Sequence, residues 1–504
     1  MMVAELEHHT SLVDKLLAEQ AKLGTAVERF SDWHEKSGDQ AEPLQARHYR
    51  GLIPLAKPAN GEQYAFEVNL DQCTGCKACV AACHSLNGLD DDESWREVGL
   101  LVGDVYIPYQ QTVTSACHHC QDPACANGCP VLAYHKDEET GIVRHLDDQC
   151  IGCSYCILKC PYDVPKFNKK RGIVRKCDMC HQRLAVGEAP ACVQSCPNGA
   201  IAIRVVNVAA TIAATTGGTV NAPGAAYASG ASLLPDTVTS GYTRPTTRYV
   251  SSKPVPAAAM AANAASPAVE HTHVPLVVML VLTQFASGVY LFAGTHAVMS
   301  WIGLALATLG IAASGAHLGQ PLKAWRCFLG LRKSWLSREI VAFGGFPPAG
   351  AAAALGFIPA WWVAVVGLGC VFCSVMVYVD THRPFWQASQ TVPKFFGTTL
   401  VLGAALASCF GMASPGLASV LAVVKLACEL LYLNNEDEKH ARTRRLLLGP
   451  LRGWHFSRFA MGITGAALAL HSPVAGLVCL LVGEFLERIT FFRAAAAWRM
   501  PGHA

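Results

Sequence analysis

An α+β, cysteine-rich domain followed by an all-α bundle of eight transmembrane helices is the fold class that this sequence predicts. Three observations predict it. All 16 cysteines between Cys73 and Cys196 fall in regularly spaced groups. The remaining six, Cys327, Cys370, Cys373, Cys409, Cys428 and Cys479, are scattered through apolar sequence and read as small core residues. After about residue 273 the chain turns apolar in stretches close to the ~17–25 residues that cross a bilayer. With 504 residues the chain is too long for one ordinary domain, and its composition changes near the middle, so two unlike parts are expected. A net charge of +3 is too small to suggest nucleic acid, and no such partner is expected.

Residues 1–60 form an N-terminal extension. Within it "SLVDKLLAEQAKLGTAVERF" (residues 11–30) places Leu12, Val13, Leu16, Leu17, Leu23, Val27 and Phe30 at helical spacing. Such a face is expected to pack on a core, with docking on a partner as the alternative. Residues 61–204 make the cysteine domain, which contains an internal repeat: "FEVNLDQCTGCKACVAAC" matches "IVRHLDDQCIGCSYCILKC". Each copy reads as a short strand, a cysteine loop and a helix. Residues 205–272 are rich in Ala, Gly, Thr, Ser and Pro and read as a linker or a partner-binding arm. Residues 273–504 hold the apolar spans, expected near 274–292, 297–316, 339–357, 359–378, 395–412, 417–433, 456–471 and 473–490.

The cysteine groups are Cys73-x2-Cys76-x2-Cys79-x3-Cys83, Cys117-x2-Cys120-x4-Cys125-x3-Cys129-Pro130, Cys150-x2-Cys153-x2-Cys156-x3-Cys160-Pro161 and Cys177-x2-Cys180-x11-Cys192-x3-Cys196-Pro197. A [4Fe–4S] cube needs one thiolate per iron. Three close cysteines wrap one face of it, and the fourth ligand comes from the distant cysteine of a paired group. Four groups of four therefore predict four cubane clusters and a ferredoxin-like domain. Zinc is the alternative, but its structural sites draw two cysteines from each of two knuckles, which this spacing fits poorly. A disulfide framework would need an oxidising compartment. The N-terminus "MMVAELEHHT" is acidic with no apolar h-region, so no export signal is expected on this chain, although export on a partner stays open.

Over roughly residues 64–204 these motifs resemble the four-cluster iron–sulfur subunit of dimethyl sulfoxide reductase-type molybdoenzymes. The stretch "HLGQPLKAWRCFLGLRKSWLSREI" and the apolar helix after it look like the membrane-anchor subunit of the same enzymes, over about residues 273–495. In most relatives the two are separate polypeptides, whereas here they are fused. The resemblance implies four ligand sets: Cys73, Cys76, Cys79 with Cys196; Cys177, Cys180, Cys192 with Cys83; Cys117, Cys120, Cys125 with Cys160; and Cys150, Cys153, Cys156 with Cys129. It also implies a molybdopterin-containing catalytic subunit on another chain and a quinone, menaquinone or ubiquinone, in the lipid bilayer. His317 and Glu339 align with the histidine and glutamate associated with quinol binding in the anchor family. A histidine there can donate to a quinone oxygen and a carboxylate can relay the proton. The alternative is that His317 caps a helix and Glu339 pairs with Arg338 or Lys333.

Loops after even-numbered spans carry Lys and Arg residues, among them Lys323, Arg326, Lys394 and Arg458, with Arg488, Arg493 and Arg499 toward the C-terminus; loops after odd-numbered spans carry none. By the positive-inside rule the basic side is cytoplasmic, and the cysteine domain shares that side at the inner membrane. That topology looks like the cytoplasm-facing sulfite dehydrogenase (sulfite:quinone oxidoreductase) branch of the family. A quinol-oxidising terminal reductase and a redox-driven ion transporter are the rival readings. The spans hold histidine only at their ends, such as His317 and His471, so no haem is expected. Lys425 and Glu429, four apart, are read as a structural pair, with a proton path that includes Glu484 as the alternative.

Overall fold

The computed structural model describes residues 11–22, 31–32, 35, 49–54, 56–103, 108–215, 232–264, 267–433, 438–496 and 499–502. Helix α1 (Leu12–Lys22) forms where the apolar spacing predicts one. Its face is not on a core, however: Leu12, Val13, Leu16 and Leu17 are all exposed. Leu23, Val27 and Phe30 lie outside the described residues.

The cysteine domain runs β1 (Glu62–Asn69), α2 (Ala78–Leu86), β2 (Glu97–Val102), β3 (Gln110–Ser115), α3 (Ala124–Gly128), β4 (Tyr134–Lys136), β5 (Val143–His145), α4 (Tyr155–Lys159), β6 (Lys166–Asn168), β7 (Ile173–Arg175), α5 (His181–Ala185), α6 (Ala191–Gln194) and β8 (Ile201–Asn207). After β8 come α7 (Val208–Thr215), β9 (Arg248–Val250) and β10 (Met260–Ala261). Strand β1 pairs antiparallel with β8 from Glu62↔Asn207 to Val68↔Ile201, which joins the first cysteine group to the end of the fourth. The internal repeat is visible as geometry. After β1 and after β5 the chain makes one 3-10 turn (Leu70–Gln72 and Asp147–Gln149), then a cysteine loop, then a helix. Both loops turn through positive φ at equivalent places, Gly75 and Lys77 in one copy and Gly152 and Ser154 in the other. Closely spaced left-handed residues bend the backbone around a centre and aim its amides inward.

Part of the expected linker is built into this domain. Strand β9 pairs parallel with β1, β10 pairs antiparallel with β2, and Leu234 and Tyr249 are buried in the domain's core. Residues 216–231 of that stretch lie outside the described residues.

The membrane half contains α8 (Val274–Ala293), α9 (Ala297–Gly315), α10 (Trp335–Ala354), α11 (Ala360–Val379), α12 (Ala388–Cys409), α13 (Pro415–Leu433), a short α14 (Glu438–Leu448), α15 (Arg452–Ala469) and α16 (Pro473–Arg493). Among the described residues five helices are long and apolar enough to cross a membrane: α8, α9, α11, α12 and α13. Helices α10, α15 and α16 occupy the three remaining expected positions but are less apolar. The first contains Pro347 and Pro348, and the other two carry Arg458, Glu484, Glu487 and Arg488. Helix α8 is central, packing on α9, α11, α12 and α16. It crosses α12 closely at Gly288 and Gly403, where a Cβ on either glycine would overlap the backbone of the other helix. The outer faces are apolar and exposed at positions such as Leu309, Val420, Ile463 and Val474, as a lipid-facing surface requires.

Candidate electron-transfer site

Each implied cysteine set is gathered in space. Cys73, Cys76, Cys79 and Cys196 line one hollow, and Cys117, Cys120, Cys125 and Cys160 line another. Cys156 has Cys153, Cys129 and Cys150 as electrostatic neighbours, and Cys83 has Cys192 and Cys180. None of the 16 is in a disulfide. Among the described residues no three His, Cys, Asp or Glu side chains converge tightly enough for a single metal ion. The sulfurs of two sets line hollows, an arrangement that a cube with one thiolate per iron would fit. Burial pushes the Cys83 thiol up to about 12 and those of Cys160 and Cys180 up to about 11, with neighbouring cysteines adding to the shift. Thiolates at these positions therefore need bound metal, which deprotonates a coordinating thiol outright. Backbone amides already point at several sulfurs: Ala133 to Cys129 at 3.2 Å, Gly152 to Cys150 at 3.3 Å and Ala200 to Cys196 at 3.2 Å.

Cys79 neighbours Cys192, Cys177 neighbours Cys117, and Tyr134 lies beside both Cys125 and Cys156, which orders the sets as a row from Cys73 through Cys177 and Cys117 to Cys150. At one end Cys76 is exposed. At the other, the Cys150–Cys156 loop is seated on the membrane half. The amide of Gln320 donates to the Ile151 carbonyl at 3.0 Å, and that of Gly330 donates to Pro130 at 2.8 Å. The Tyr155 hydroxyl donates to the Val377 carbonyl at the end of α11 at 2.8 Å, and Lys159 pairs with Asp380 at 2.8 Å. Gly152, Gly172 and Gly319 meet backbone to backbone, so no Cβ fits at the contact. Cys153 packs against the same apolar cluster as Val277, Val371 and Tyr378 of the membrane helices.

His317 and Glu339 border this junction. His317 lies two residues before Gly319, and its Nδ1 is buried without a hydrogen-bond partner. Burial pushes the imidazole below its ordinary value, which keeps the ring neutral near pH 7. Glu339, in the second turn of α10, is 5% exposed and accepts a hydrogen bond from Ser374 of α11. It lies within electrostatic reach of Tyr155. Among the described residues it has no cationic partner, and Arg338 instead donates to the carbonyls of Leu331 and Arg332. The pairing of Glu339 with Arg338 that the sequence leaves open is therefore not made.

Comparison with known proteins bears on both halves of the chain. Residues 109–206 match the family model described as "4Fe-4S dicluster domain", and residues 270–436 match "DMSO reductase anchor subunit (DmsC)". The B subunit of anaerobic dimethyl sulfoxide reductase from Escherichia coli (strain K12) is 40% identical over 147 residues, which is 27% of this chain and 70% of that protein. This protein belongs to the dimethyl sulfoxide reductase B-subunit family. The corresponding B subunit from Haemophilus influenzae is 36% identical over 146 residues, covering 27% of this chain and 71% of the relative. The iron–sulfur subunit of the nitrate-inducible formate dehydrogenase of Escherichia coli (strain K12) is 35% identical over 173 residues, covering 29% and 57%. In this family member the 4Fe–4S electron-transfer domain is fused to a membrane anchor, and the apolar helices are those of a multi-pass membrane protein.

Several residues of the site are not visible to motif reading. Lys394, Arg458 and Arg488, expected among topology-setting loop charges, are buried inside helices. Arg458 contacts Glu429 at 3.0 Å and Glu484 at 3.1 Å, and Lys394 contacts Glu487 at 3.1 Å. The expected Lys425–Glu429 pair is long at 3.9 Å, because Lys425 turns to Glu484 and Thr398 instead. Tyr155, Arg96 and Lys176, all buried among the cysteine loops, lie outside any motif.

Proposed function

We propose that the protein passes electrons between a quinone, menaquinone or ubiquinone, and a molybdopterin-containing catalytic subunit on another chain, through four [4Fe–4S] clusters held by the 16 cysteines in the four sets above. The observation that carries this reading is the seating of the Cys150–Cys156 loop on the His317–Gln320 turn and the end of α11. It brings one cluster position against the membrane half, while Cys76 at the far end is open to a partner. The clusters supply one-electron transfer. The protein's own residues supply the rest. Oxidation of a quinol releases two electrons, one at a time, and two protons. The Nδ1 of His317 receives the proton of one quinol oxygen and the Glu339 carboxylate receives that of the other. Quinone reduction runs the same steps backwards. In this reading eight helices cross the inner membrane and the basic side, with the cysteine domain, faces the cytoplasm.

That orientation favours a quinone-reducing sulfite dehydrogenase type. The second reading, a quinol-oxidising terminal reductase, is favoured by the 40% identity to a dimethyl sulfoxide reductase subunit. The test is anaerobic purification of the complex from membranes, followed by iron analysis and quinol-driven cluster reduction. About 16 iron atoms per chain are expected from one cube per four thiolates. His317→Ala and Glu339→Gln are expected to keep that iron and the membrane insertion but to lose electron exchange with quinone. Stoichiometric zinc, or both variants reacting at the unmodified rate, would defeat the respective parts.

A further inference from the structure

Two cations lie buried in the cysteine domain where no carboxylate meets them. Arg96 is 2% exposed, with its guanidinium 4.7 Å from the centre of the Phe66 ring. Its Nη1 donates to Thr114 Oγ1 at 3.2 Å, and that hydroxyl is 3.6 Å from the sulfur of Cys79. Its Nη2 has no hydrogen-bond partner. Its strongest electrostatic partners are Cys192, Cys79, Cys177 and Cys83. Lys176 is likewise 2% exposed; its Nζ donates to the carbonyl of Cys177 at 2.7 Å and to the sulfur of Cys117 at 3.5 Å. Among the described residues neither cation is ion-paired to Asp or Glu. Other buried cations of this domain are paired, Arg175 with Glu93 at 3.1 Å and Lys159 with Asp380 at 2.8 Å.

An unpaired buried charge is costly, and a fold keeps one only where something else neutralises it. Among the described residues the nearest anions are the cysteine sulfurs and whatever they ligate, with Asp178 a weaker neighbour of Lys176. Position sharpens the point. Arg96 stands between the Cys73 and Cys177 sets, and Lys176 between the Cys177 and Cys117 sets. The Cys177 set has a fixed cation on each side, while the Cys150 set at the membrane has neither and meets His145, which is itself paired with Asp147 at 2.8 Å. Reduction adds an electron to a cluster, so a fixed positive charge nearby stabilises the reduced form and raises its potential, the more so in a low dielectric.

We propose that Arg96 and Lys176 are redox-positioning residues that make the Cys177 set the electron sink of the row, holding charge in transit between the membrane end and the Cys76 end. This rests on the four-cluster reading above.

The test is an EPR-monitored potentiometric titration of the full-length protein in its membrane complex. Arg96→Gln is expected to lower two of four midpoints, and Lys176→Gln two, with one midpoint common to both. Each shift should be at least a tenfold change in the reduced-to-oxidised ratio at fixed potential, about 59 mV for one electron. The double variant should lower the shared midpoint furthest, and one midpoint should move in none. Arg96→Lys and Lys176→Arg keep the charge and should hold the midpoints. Unmoved midpoints in iron-replete Gln variants overturn the proposal. If a Gln variant loses iron, its charge-keeping partner decides: midpoints held support the proposal, and midpoints lowered overturn it. Fewer than four cluster signals in the unaltered protein overturn the four-cluster reading, and this inference with it.

Discussion

Glu339 and Glu484 are both glutamates buried in membrane-half helices, yet their surroundings assign them opposite roles. Glu484 is held by Lys425, by Arg458 at 3.1 Å and by Thr398 at 2.6 Å, so its charge is matched several times over. Glu339 has one hydroxyl and no cation among the described residues. A carboxylate so placed can change protonation at little structural cost, whereas removing one partner of a buried ionic network leaves charge uncompensated. Glu484→Ala is therefore expected to destabilise the membrane half by about 3–5 kcal/mol, read as a lowered unfolding midpoint in detergent. Glu339→Gln should leave that midpoint unchanged. At this scale the grouping of the cysteines was legible in the sequence, because closely spaced cysteines stay together in the fold. The charge network was only half legible. Lys425 and Glu429 are neighbours on one helix and can be paired from sequence, but Thr398, Arg458, Glu484 and Glu487 come from three other helices whose adjacency no local pattern encodes. The charged stretch "GEFLER" in an otherwise apolar segment was the available signal.

Among elements, the turn between α9 and α10 carries the junction between the two halves. Pro321–Gly330 winds as a 3-10 helix with Leu322 and Trp325 exposed beside Lys323 and Arg326, a pattern suited to the headgroup region of a bilayer. Just before it, Gly319 lies against Gly172 so closely that a Cβ would overlap the Gly172 carbonyl oxygen. Gly319→Val should push the Cys150 loop off the membrane face. The expected outcome is full iron content with quinol-driven cluster reduction slowed by about 10²-fold, the scale of a misplacement of roughly 1 Å; a normal rate would show that this contact does not set the distance. The helices themselves were mostly legible, since each expected span coincides with a helix of 18–22 residues. Apolarity alone was not, because α15 begins with a polar turn and α16 carries three charges within its apolar run, of which Glu484 meets Arg458 of α15. The docked arm was illegible for a different reason: β9 and β10 are short edge strands, and their pairing with β1 and β2 depends on partners far away in sequence.

Across the whole molecule, the chain leaves the cysteine domain and returns to it. Before α8, the amide of Glu270 donates to the carbonyl of Arg493 at the end of α16 at 3.1 Å, and its carboxylate meets Arg499 at 2.5 Å. Met500 is 1% exposed within the cysteine domain's core, and Gly502 lies against Gly99 of β2. Both ends of the membrane half are thus on one side, so the number of crossings between them must be even. With all five strongly apolar helices crossing, at least one of α10, α15 and α16 is expected to cross as well. The buried charges say how the less apolar helices can do so: Lys394, Lys425, Glu484 and Glu487 lie roughly 9–14 Å inside the helix ends nearest the cysteine domain, at 1.5 Å per residue, and Lys394 pairs with Glu487 and Lys425 with Glu484 there instead of facing lipid. The expected outcome is eight crossings. A cytoplasmically active reporter fused after Ala504 should be active, and so should one inserted at residue 435, while reporters after Gly294, Gly356, Gly411 and Ser472 should report the opposite side. A reporter after Ser472 on the cytoplasmic side would remove α15 and α16 from the crossings and leave six.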